Sequence, residues 1–373
     1  MKTALVIGGS GPTGTHLVHG LAERGYEVVV LHRGTHEEKS LQKFEHIHTD
    51  PHFAEPLKDA LGSRRFDICL ATYGRVRVIA EVMAGRCDQF IGIGGVPVYL
   101  GWLEPDALFP HGMVVNTTEE HGATAFVEGD TPSSRFTYLV GSTERSVFDL
   151  HRQGAFAATY IRYPIIYGPR QVAPREWSVA KRVLDGRKKM ILPDGGLAVL
   201  ARCAAENAAH CVLLTVNNPN AFGQSFNCVD DQQYSLRQWA EKIVAMLGGN
   251  MSFVLMPDSI AWPGRTLFPL SRPSGHGMVS GEKARELLGY KDIVDPDLAL
   301  EKTVRWYIEN PPTREDYPSF TEIFDYESED KLIAEYERAI EKILRDNPAK
   351  NPAPSHHYPH PREPGLLRDH RGR

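Results

Sequence analysis

Apolar and polar positions along the first part of the chain fall into blocks that alternate between strand and helix. Thr3-Ala-Leu-Val-Ile7 is an unbroken apolar run of the kind buried on both faces of a sheet; it stops at Gly8, and Thr13–Arg24 then repeats its apolar side chains at helical spacing. Tyr26-Glu-Val-Val-Val-Leu31 predicts a second strand, His46–Thr49 a short third ending at Asp50, and Phe66–Ala71 a fourth ending at Thr72-Tyr73-Gly74. A helix from Val76 to Gly85 leads to a fifth strand over Gln89–Gly94, and Ala158–Arg162 reads as a sixth. Strands alternating with helices predict an α/β fold with a doubly wound parallel sheet. Later segments differ in texture. Trp177–Lys189 reads as an amphipathic helix, Ser235–Leu247 as a helix capped by Ser235 and stopped at Gly248-Gly249, and Met256–Leu270 as a proline-punctuated apolar lid or dimer-facing loop. Glu322–Arg345 predicts a charged helix, and Asn347–Arg373, rich in Pro, His and Arg, cannot build a core by itself and is expected to be disordered or to wrap a partner. The expected division is a core over 1–170, a smaller C-terminal substrate-binding lobe over 171–315 interleaved with it, a helical extension over 316–346 and a tail over 347–373.

The junction of the first strand and first helix carries the clearest chemistry. Gly8, Gly11 and Gly14 stand at G-x-x-G-x-x-G spacing, so that backbone can approach a pyrophosphate closely while amides at the helix start point at it. Ser10 and Thr13 add hydroxyl donors. A glycine triplet is a weak signal alone, but here it follows a strand, opens a helix and precedes a second strand, which predicts a Rossmann dinucleotide site. At the end of the second strand an acidic side chain would accept hydrogen bonds from a free ribose 2′-hydroxyl; this chain has His32-Arg33-Gly34-Thr35. Arg33 suits a 2′-phosphate, and no carboxylate stands at the strand tip to repel one, so NADP(H) is expected in preference to NAD(H). Asp50 is expected near the adenine and Thr72 at the cofactor edge.

Composition narrows the partners. The 373 residues are 42% apolar, enough for a substantial core, and the net charge of −5 mixes both signs along the chain, so nucleic acid and anionic membranes are not expected partners. No window reaches a membrane span, and the opening residues run straight into glycines rather than a signal-peptide cleavage site; a soluble, cytoplasmic protein is expected. Cys69, Cys87, Cys203, Cys211 and Cys228 are scattered, without a Cys-x-x-Cys pair, and read as reduced core thiols. No His, Asp or Glu spacing resembles a metal motif, so no metal is expected, and the tail histidines His356, His357 and His360 are a compositional feature.

Several further motifs join the glycine turn: Val98-Tyr99 after the fifth strand, Arg162-Tyr163-Pro164-Ile165-Ile166-Tyr167-Gly168-Pro169 after the sixth, Gly223-Gln-Ser-Phe-Asn227, and Lys283-Ala-Arg-Glu-Leu-Leu-Gly-Tyr290. Together they make residues 1–310 resemble the extended, atypical short-chain dehydrogenase/reductase superfamily, the NAD(P)-dependent epimerase/dehydratase-like group. The resemblance implies a cofactor held by the first part, a substrate pocket built largely from the later part, and a homodimer. Gly95, Tyr163, Tyr167 and Arg170 are the expected pocket residues. The aromatic and aliphatic content of Met256–Leu270 favours an apolar or aromatic substrate over a bare sugar nucleotide, although packing explains it equally well.

In that superfamily a Tyr with a Lys four residues later exchanges a proton while hydride moves, and a Ser or Thr after the fifth strand orients the carbonyl. Here the stretch is Arg135-Phe-Thr-Tyr138-Leu-Val-Gly-Ser142-Thr-Glu144-Arg145. Matching Glu144-Arg145 to the usual Glu-Arg puts Phe136 and Val140 at the Tyr and Lys positions; taking Tyr138 as the tyrosine puts Ser142 at the Lys position. After the fifth strand stand Gly94 and Gly95, without a hydroxyl. The standard triad is absent in either register. Three readings stay open: an NADP(H)-dependent oxidoreductase acting on a carbonyl or activated double bond, with Tyr138, Tyr99 or Tyr73 supplying the proton; a non-redox epimerase, dehydratase or lyase; and a cofactor-binding regulatory or RNA-associated protein without turnover.

Overall fold

In chain order the computed structural model runs β1 (Lys2–Ile7), α1 (Gly14–Glu23), β2 (Tyr26–His32), β3 (Glu45–His48), α2 (Ala54–Leu61), β4 (Phe66–Ala71), α3 (Val76–Met83), β5 (Cys87–Gly95), α4 (Pro132–Arg152), β6 (Ala157–Tyr163) and β7 (Ile165–Tyr167). It continues through α5 (Arg175–Leu184), β8 (Lys189–Pro193), β9 (Arg202–Ala204), α6 (Ala205–Leu214), β10 (Gln224–Asn227), α7 (Leu236–Met246), β11 (Ser252–Met256), α8 (Glu282–Leu288), α9 (Pro296–Glu309) and α10 (Tyr326–Asp346). The structure describes residues 2–348, 358 and 360–369, apart from 35–37, 73, 122–123, 125–126, 172, 268–271 and 314–323.

Seven strands form one parallel sheet in the order β10-β6-β5-β4-β1-β2-β3. β1 and β4 lie in its middle, and Ala4–Ile7 and Ile68–Ala71 are fully buried, which is why they read as unbroken apolar runs. Helices α1 and α6 cover one face around Leu17, Val18, Leu21, Ala208 and Val212; α2, α3 and α4 cover the other around Leu57, Ile79, Met83 and Val147. The chain leaves β1 toward β2 and β3 on one side and returns to β4 on the other. That reversal opens a crevice above the carboxyl ends of β1 and β4, the place where such sheets hold ligands.

Beyond the sheet a second core gathers Trp102, Tyr167, Trp177, Trp239, Leu300 and Tyr307. Two short parallel pairs, β8 with β11 and β7 with β9, brace this lobe. The expected helix over Trp177–Lys189 is corrected here: α5 ends at Leu184, Gly186 turns the chain at φ +74°, and Lys189 already begins β8. Gln224–Asn227, read from the sequence only as a motif, is the seventh sheet strand. Ser235 caps α7 as expected, its hydroxyl accepting from Gln238 N while the Gln238 side chain accepts from Ser235 N. All five cysteines are buried and reduced.

Two compact units result, 1–325 and 326–373. The second holds α10, Tyr326–Asp346, which covers the expected Glu322–Arg345 helix from Tyr326 on; residues 322 and 323 lie outside the described residues. The tail residues 349–357 lie outside the described residues. Among the described residues no helix is long and apolar enough to cross a membrane.

Candidate functional site

The glycine turn between β1 and α1 sits at the sheet's crevice. Gly8 has φ +97°, in the left-handed region, and its N–H donates to Leu31 O at 3.0 Å. A Cβ on Gly14 would lie 2.3 Å from Gly9 O, so only glycine lets the helix start this close to the turn. Gly11 is the opposite case: a Cβ there would meet no atom within 4 Å, because that side of the turn is open. Ser10 is half-buried beside it and Thr13 is buried. Thr72, expected at the cofactor edge, clamps the turn from β4, its hydroxyl donating to Ile7 O at 2.9 Å or Gly8 O at 3.0 Å.

Two buried polar atoms without a hydrogen bond flank this turn. The Tyr163 hydroxyl lies against the Thr13 side chain, and burial holds its pKa well above that of an ordinary phenol. Arg170, held at φ +67°, reaches Thr15 at the start of α1 and pairs with Glu38 beyond β2, while its Nε stays buried and unpaired. Burial alone would raise the Glu38 pKa, but the bond and charge of Arg170 outweigh it and hold the carboxyl below its usual range. The fit to a dinucleotide is therefore good: an open glycine, a helix start and two orphaned donors converge on one place.

The structure spreads the four expected pocket residues over separate places. Arg170 and Tyr163 belong to the glycine-turn side. Tyr167 is completely buried in the lobe core, where its hydroxyl donates to Asp230 Oδ2 at 2.7 Å and its ring meets Trp239 edge-on. Gly95, at the end of β5, keeps its Cβ position 3.3 Å from Tyr163 O.

At the adenosine end, Arg33 is exposed just after β2. Asp50 accepts from His52 N and from the His52 ring at 2.6 Å. Those bonds, with the charges of His52 and then Arg33, keep its carboxyl below the usual range. An ionised carboxylate thus stands in the field of Arg33, which the sequence, with no acid at the β2 tip, did not reveal.

Among the candidate proton donors, Tyr99 is buried and doubly engaged: it accepts from Arg162 at 2.6 Å and donates to Asn227 Oδ1 at 2.9 Å. Burial pushes its pKa up to about 12. That geometry makes Tyr99 a structural tie. Arg162 grips Glu144 with two hydrogen bonds, of 3.0 and 2.7 Å, fixing α4 against β6. Phe136 and Val140 share the helical stripe of Glu144, and neither carries a proton. Tyr138 is half-buried on α4, with the Arg145 guanidinium 5.7 Å from its ring centre. Tyr73 lies outside the described residues.

Sequence reasoning missed Arg272. It is 2% exposed, stacks over the Trp102 ring at 5.2 Å, and donates from one nitrogen to Gly275 O. Its Nε and other NH2, and the neighbouring Trp102 Nε1, are buried without partners. Burial lowers its pKa to about 10. It lines a cavity of about 460 Å³ with Leu103, Glu104, Asp106, Ala107, Ser133 and Pro273, between the chain leaving β5 and the start of α4. Neither carboxylate in that lining pairs with it: Glu104 accepts from Thr131 and Asp106 from His111. The only sequence signal was an arginine at the edge of the proline-punctuated segment.

Comparison with known proteins agrees with this layout. Residues 4–81 match the NAD dependent epimerase/dehydratase family. No curated protein matches the sequence. Among solved structures, the chain is similar to the UDP-glucose 4-epimerase of Thermotoga maritima with UDP-glucose, at TM-score 0.66 and 18% identity over 83% of this chain and 100% of that one. It is similar to the dTDP-glucose 4,6-dehydratase of Bacillus anthracis in complex with NAD, at 0.64 and 16% over 85% and 99%. The UDP-glucose 4-epimerase of Thermus thermophilus, complexed with NAD, gives 0.63 and 17% over 82% and 99%. At such identities the likeness is one of fold. The expectation of NADP(H) is overturned: the dinucleotide named in these similar structures is NAD, and here the Arg33 charge already faces the Asp50 carboxylate rather than an acid-free surface.

Proposed function

We propose, from the premise that the chain belongs to the extended short-chain dehydrogenase/reductase superfamily, that it is an NAD-using enzyme of the epimerase/dehydratase type acting on a nucleotide-linked sugar or a similar diphosphate substrate. The observation that carries the reading is Arg272. A buried guanidinium with two unpaired nitrogens beside a cavity is stabilised by a bound anion, which a diphosphate supplies in the right bidentate form. Trp102 Nε1 adds a third buried donor. This anion site outweighs the apolar character of Met256–Leu270 as a guide to substrate.

NAD on the glycine turn supplies a reversible hydride acceptor, so that a reaction can end with no net redox change. Gly8, Gly11 and Gly14 bring backbone to the pyrophosphate, with Ser10, Thr13, Tyr163 and Arg170 around it. Arg272 and Trp102 anchor the substrate phosphates and so fix its reacting end. Among the candidates that the structure describes, Tyr138 is left to exchange the substrate's hydroxyl proton, since Phe136 and Val140 cannot and Tyr99 is tied to Arg162 and Asn227. This non-redox reading is favoured over a net carbonyl or double-bond reductase by the relatives' reactions.

The test is calorimetric titration of the NAD⁺-loaded chain with UDP and dTDP, alongside NMR of UDP- and dTDP-sugars incubated with it. Nucleoside diphosphate binding that vanishes in Arg272→Met while NAD⁺ binding persists, with epimerised or dehydrated sugar and no accumulating NADH, supports the proposal. NAD⁺ binding without diphosphate binding, or stoichiometric NADH release, overturns it.

A further inference from the structure

Three histidines meet at the outer edge of the sheet, beside the loop that follows β2. The parallel register sets His32 opposite His48, with His46 two residues earlier on the same face of β3. His32 and His46 rings are 5.0 Å apart, His32 and His48 rings 4.8 Å. One nitrogen from each of the three lies within 4.8 Å of the others. His32 is buried, His46 half-buried and His48 exposed, so the group opens to solvent on one side only.

The hydrogen bonds fix the tautomers. His46 Nε2 lies 2.9 Å from Leu41 O, and a carbonyl only accepts, so this nitrogen carries the proton and Nδ1 offers its lone pair inward. His32 Nε2, 2.7 Å from that Nδ1, is then the donor, and its own Nδ1 accepts from Gly34 N at 3.0 Å. A single proton therefore bridges two imidazoles in the middle of the cluster. A ring whose outer N–H is held by a backbone carbonyl, as His46 is, has the outer support that metal-bound histidines have.

We propose that His32, His46 and His48 bind a divalent transition-metal ion of the zinc class, with solvent at the open position, and that the ion weakens binding of the dinucleotide's adenosine end. Imidazole nitrogens suit zinc, copper and nickel. A zinc ion takes nitrogen at about 2.0–2.1 Å, which sets tetrahedral ligand nitrogens about 3.3 Å apart; His32 Nε2 and His46 Nδ1, now 2.7 Å apart, must therefore spread slightly once their shared proton is gone, while the exposed His48 side chain closes in. The coupling follows from the protons. To offer its Nε2 lone pair to the ion, neutral His32 must move its proton to Nδ1, where it confronts the Gly34 N–H. The bond from Gly34 breaks, and the His32-Arg33-Gly34 loop, which borders the adenosine side, has to shift. The coupling rests on the proposed dinucleotide site; the metal site does not.

The test uses the full chain, with a variant carrying His356→Ala, His357→Ala and His360→Ala to remove tail binding. Zn²⁺ is titrated by calorimetry and Co²⁺ by visible absorption, without NAD⁺. The expected result is one tight site that survives in the tail variant, with the d–d bands of low-coordinate Co²⁺, and that weakens by about 100-fold in His48→Ala, whose exposed position leaves the fold intact, and in His46→Ala. Equal Zn²⁺ binding by wild type and His48→Ala, or binding lost only with the tail histidines, overturns the site. NAD⁺ titration with and without Zn²⁺ then reads the coupling: a raised Kd with Zn²⁺, abolished in His48→Ala, supports it, and an unchanged Kd overturns the coupling while leaving the site. If NAD⁺ fails to bind in either condition, the dinucleotide reading fails and the Zn²⁺ result is judged by itself.

Discussion

Tyr160 occupies the space that a side chain on Gly94 would need: a Cβ there would lie 2.4 Å from the Tyr160 ring and 2.6 Å from its hydroxyl. Tyr160 is paired across the strands with Gly92 and leans along β5 toward its carboxyl end. The glycine near the carboxyl end of β5 is thus enforced by packing on β6, and the hydroxyl that the sequence resemblance led one to expect there is excluded by that packing. Restoring it with Gly94→Ser should destabilise the chain by about 3 kcal/mol through overpacking. In the double variant with Tyr160→Leu, the two costs should add to less than their sum by about 1–2 kcal/mol. Urea denaturation of the four proteins measures this, and strict additivity would show that the two positions do not compete for space.

The glycine turn separates folding from binding. Gly11→Ala puts a methyl group into open space at a site with negative φ, so apo stability should stay within about 0.5 kcal/mol while NAD⁺ affinity falls at least about tenfold. Gly14→Ala drives a methyl group into Gly9 O and should lower stability and NAD⁺ affinity together. Thermal denaturation paired with NAD⁺ calorimetry separates the two; a Gly11→Ala chain that binds NAD⁺ like wild type would remove the pyrophosphate from that side of the turn.

Tyr99 and Tyr138 make opposite predictions. Tyr99→Phe removes a buried hydroxyl that serves both Arg162 and Asn227, so stability should fall by about 2 kcal/mol while turnover, measured well below the melting temperature, holds. Tyr138→Phe should leave stability nearly unchanged and remove most turnover. Lost turnover in stable Tyr99→Phe, with active Tyr138→Phe, would exchange their roles.

The sheet was legible because its strands are buried on both faces: Ala4–Ile7, Val28–Leu31 and Ile68–Ala71 leave no polar position to confuse the period. The glycine turn was legible because its geometry needs glycine at Gly8 and Gly14. The lobe was harder to read. β8 and β10 are short strands whose partners lie far away in the chain, Ser252–Met256 for β8 and β6 for β10, and local periodicity carries no trace of such pairing. Arg272 was invisible for a related reason, since an arginine in a loop reads as a solvated cation until the packing of Trp102 and Gly275 around it is known. Arg33 misled in the converse way, because the carboxylate it faces comes from beyond β3.

The buried grip of Arg162 on Glu144 offers a stability test of the α4 register. Burial alone would lower the arginine's pKa, but the bonds to Glu144 and Tyr99 hold it above its ordinary value. An arginine's ordinary pKa lies so far above neutrality that Arg162 stays charged when its partner is removed, and Glu144→Ala should cost about 3–5 kcal/mol, the penalty of an uncompensated buried charge. Adding Arg162→Met to that variant should recover part of the loss. A cost below about 1 kcal/mol in chemical denaturation would mean that water reaches the site and the helix is not fixed there.

Asp230 gives the chain a pH dependence of unusual sign. Burial raises its carboxyl to about 6, against 3.8 for a free aspartate, despite hydrogen bonds from Asn207, Tyr167 and Ala204 N. Between those two values the folded chain holds a proton that the unfolded chain has lost. Folding is therefore favoured by this group below pH 3.8, and the contribution is lost as pH rises through about 6. The shift corresponds to about 3 kcal/mol at most. Most paired carboxylates act the other way, stabilising as pH rises, so the effect has to be isolated by difference. Asp230→Asn cannot ionise, and although it forfeits hydrogen bonds and is less stable throughout, its deficit against wild type should shrink between pH 4 and pH 6.5 and then stay constant. Urea titrations of both proteins at half-unit pH steps measure that deficit; one that grows across the window would mean that Asp230 is ionised in the folded chain well below pH 6.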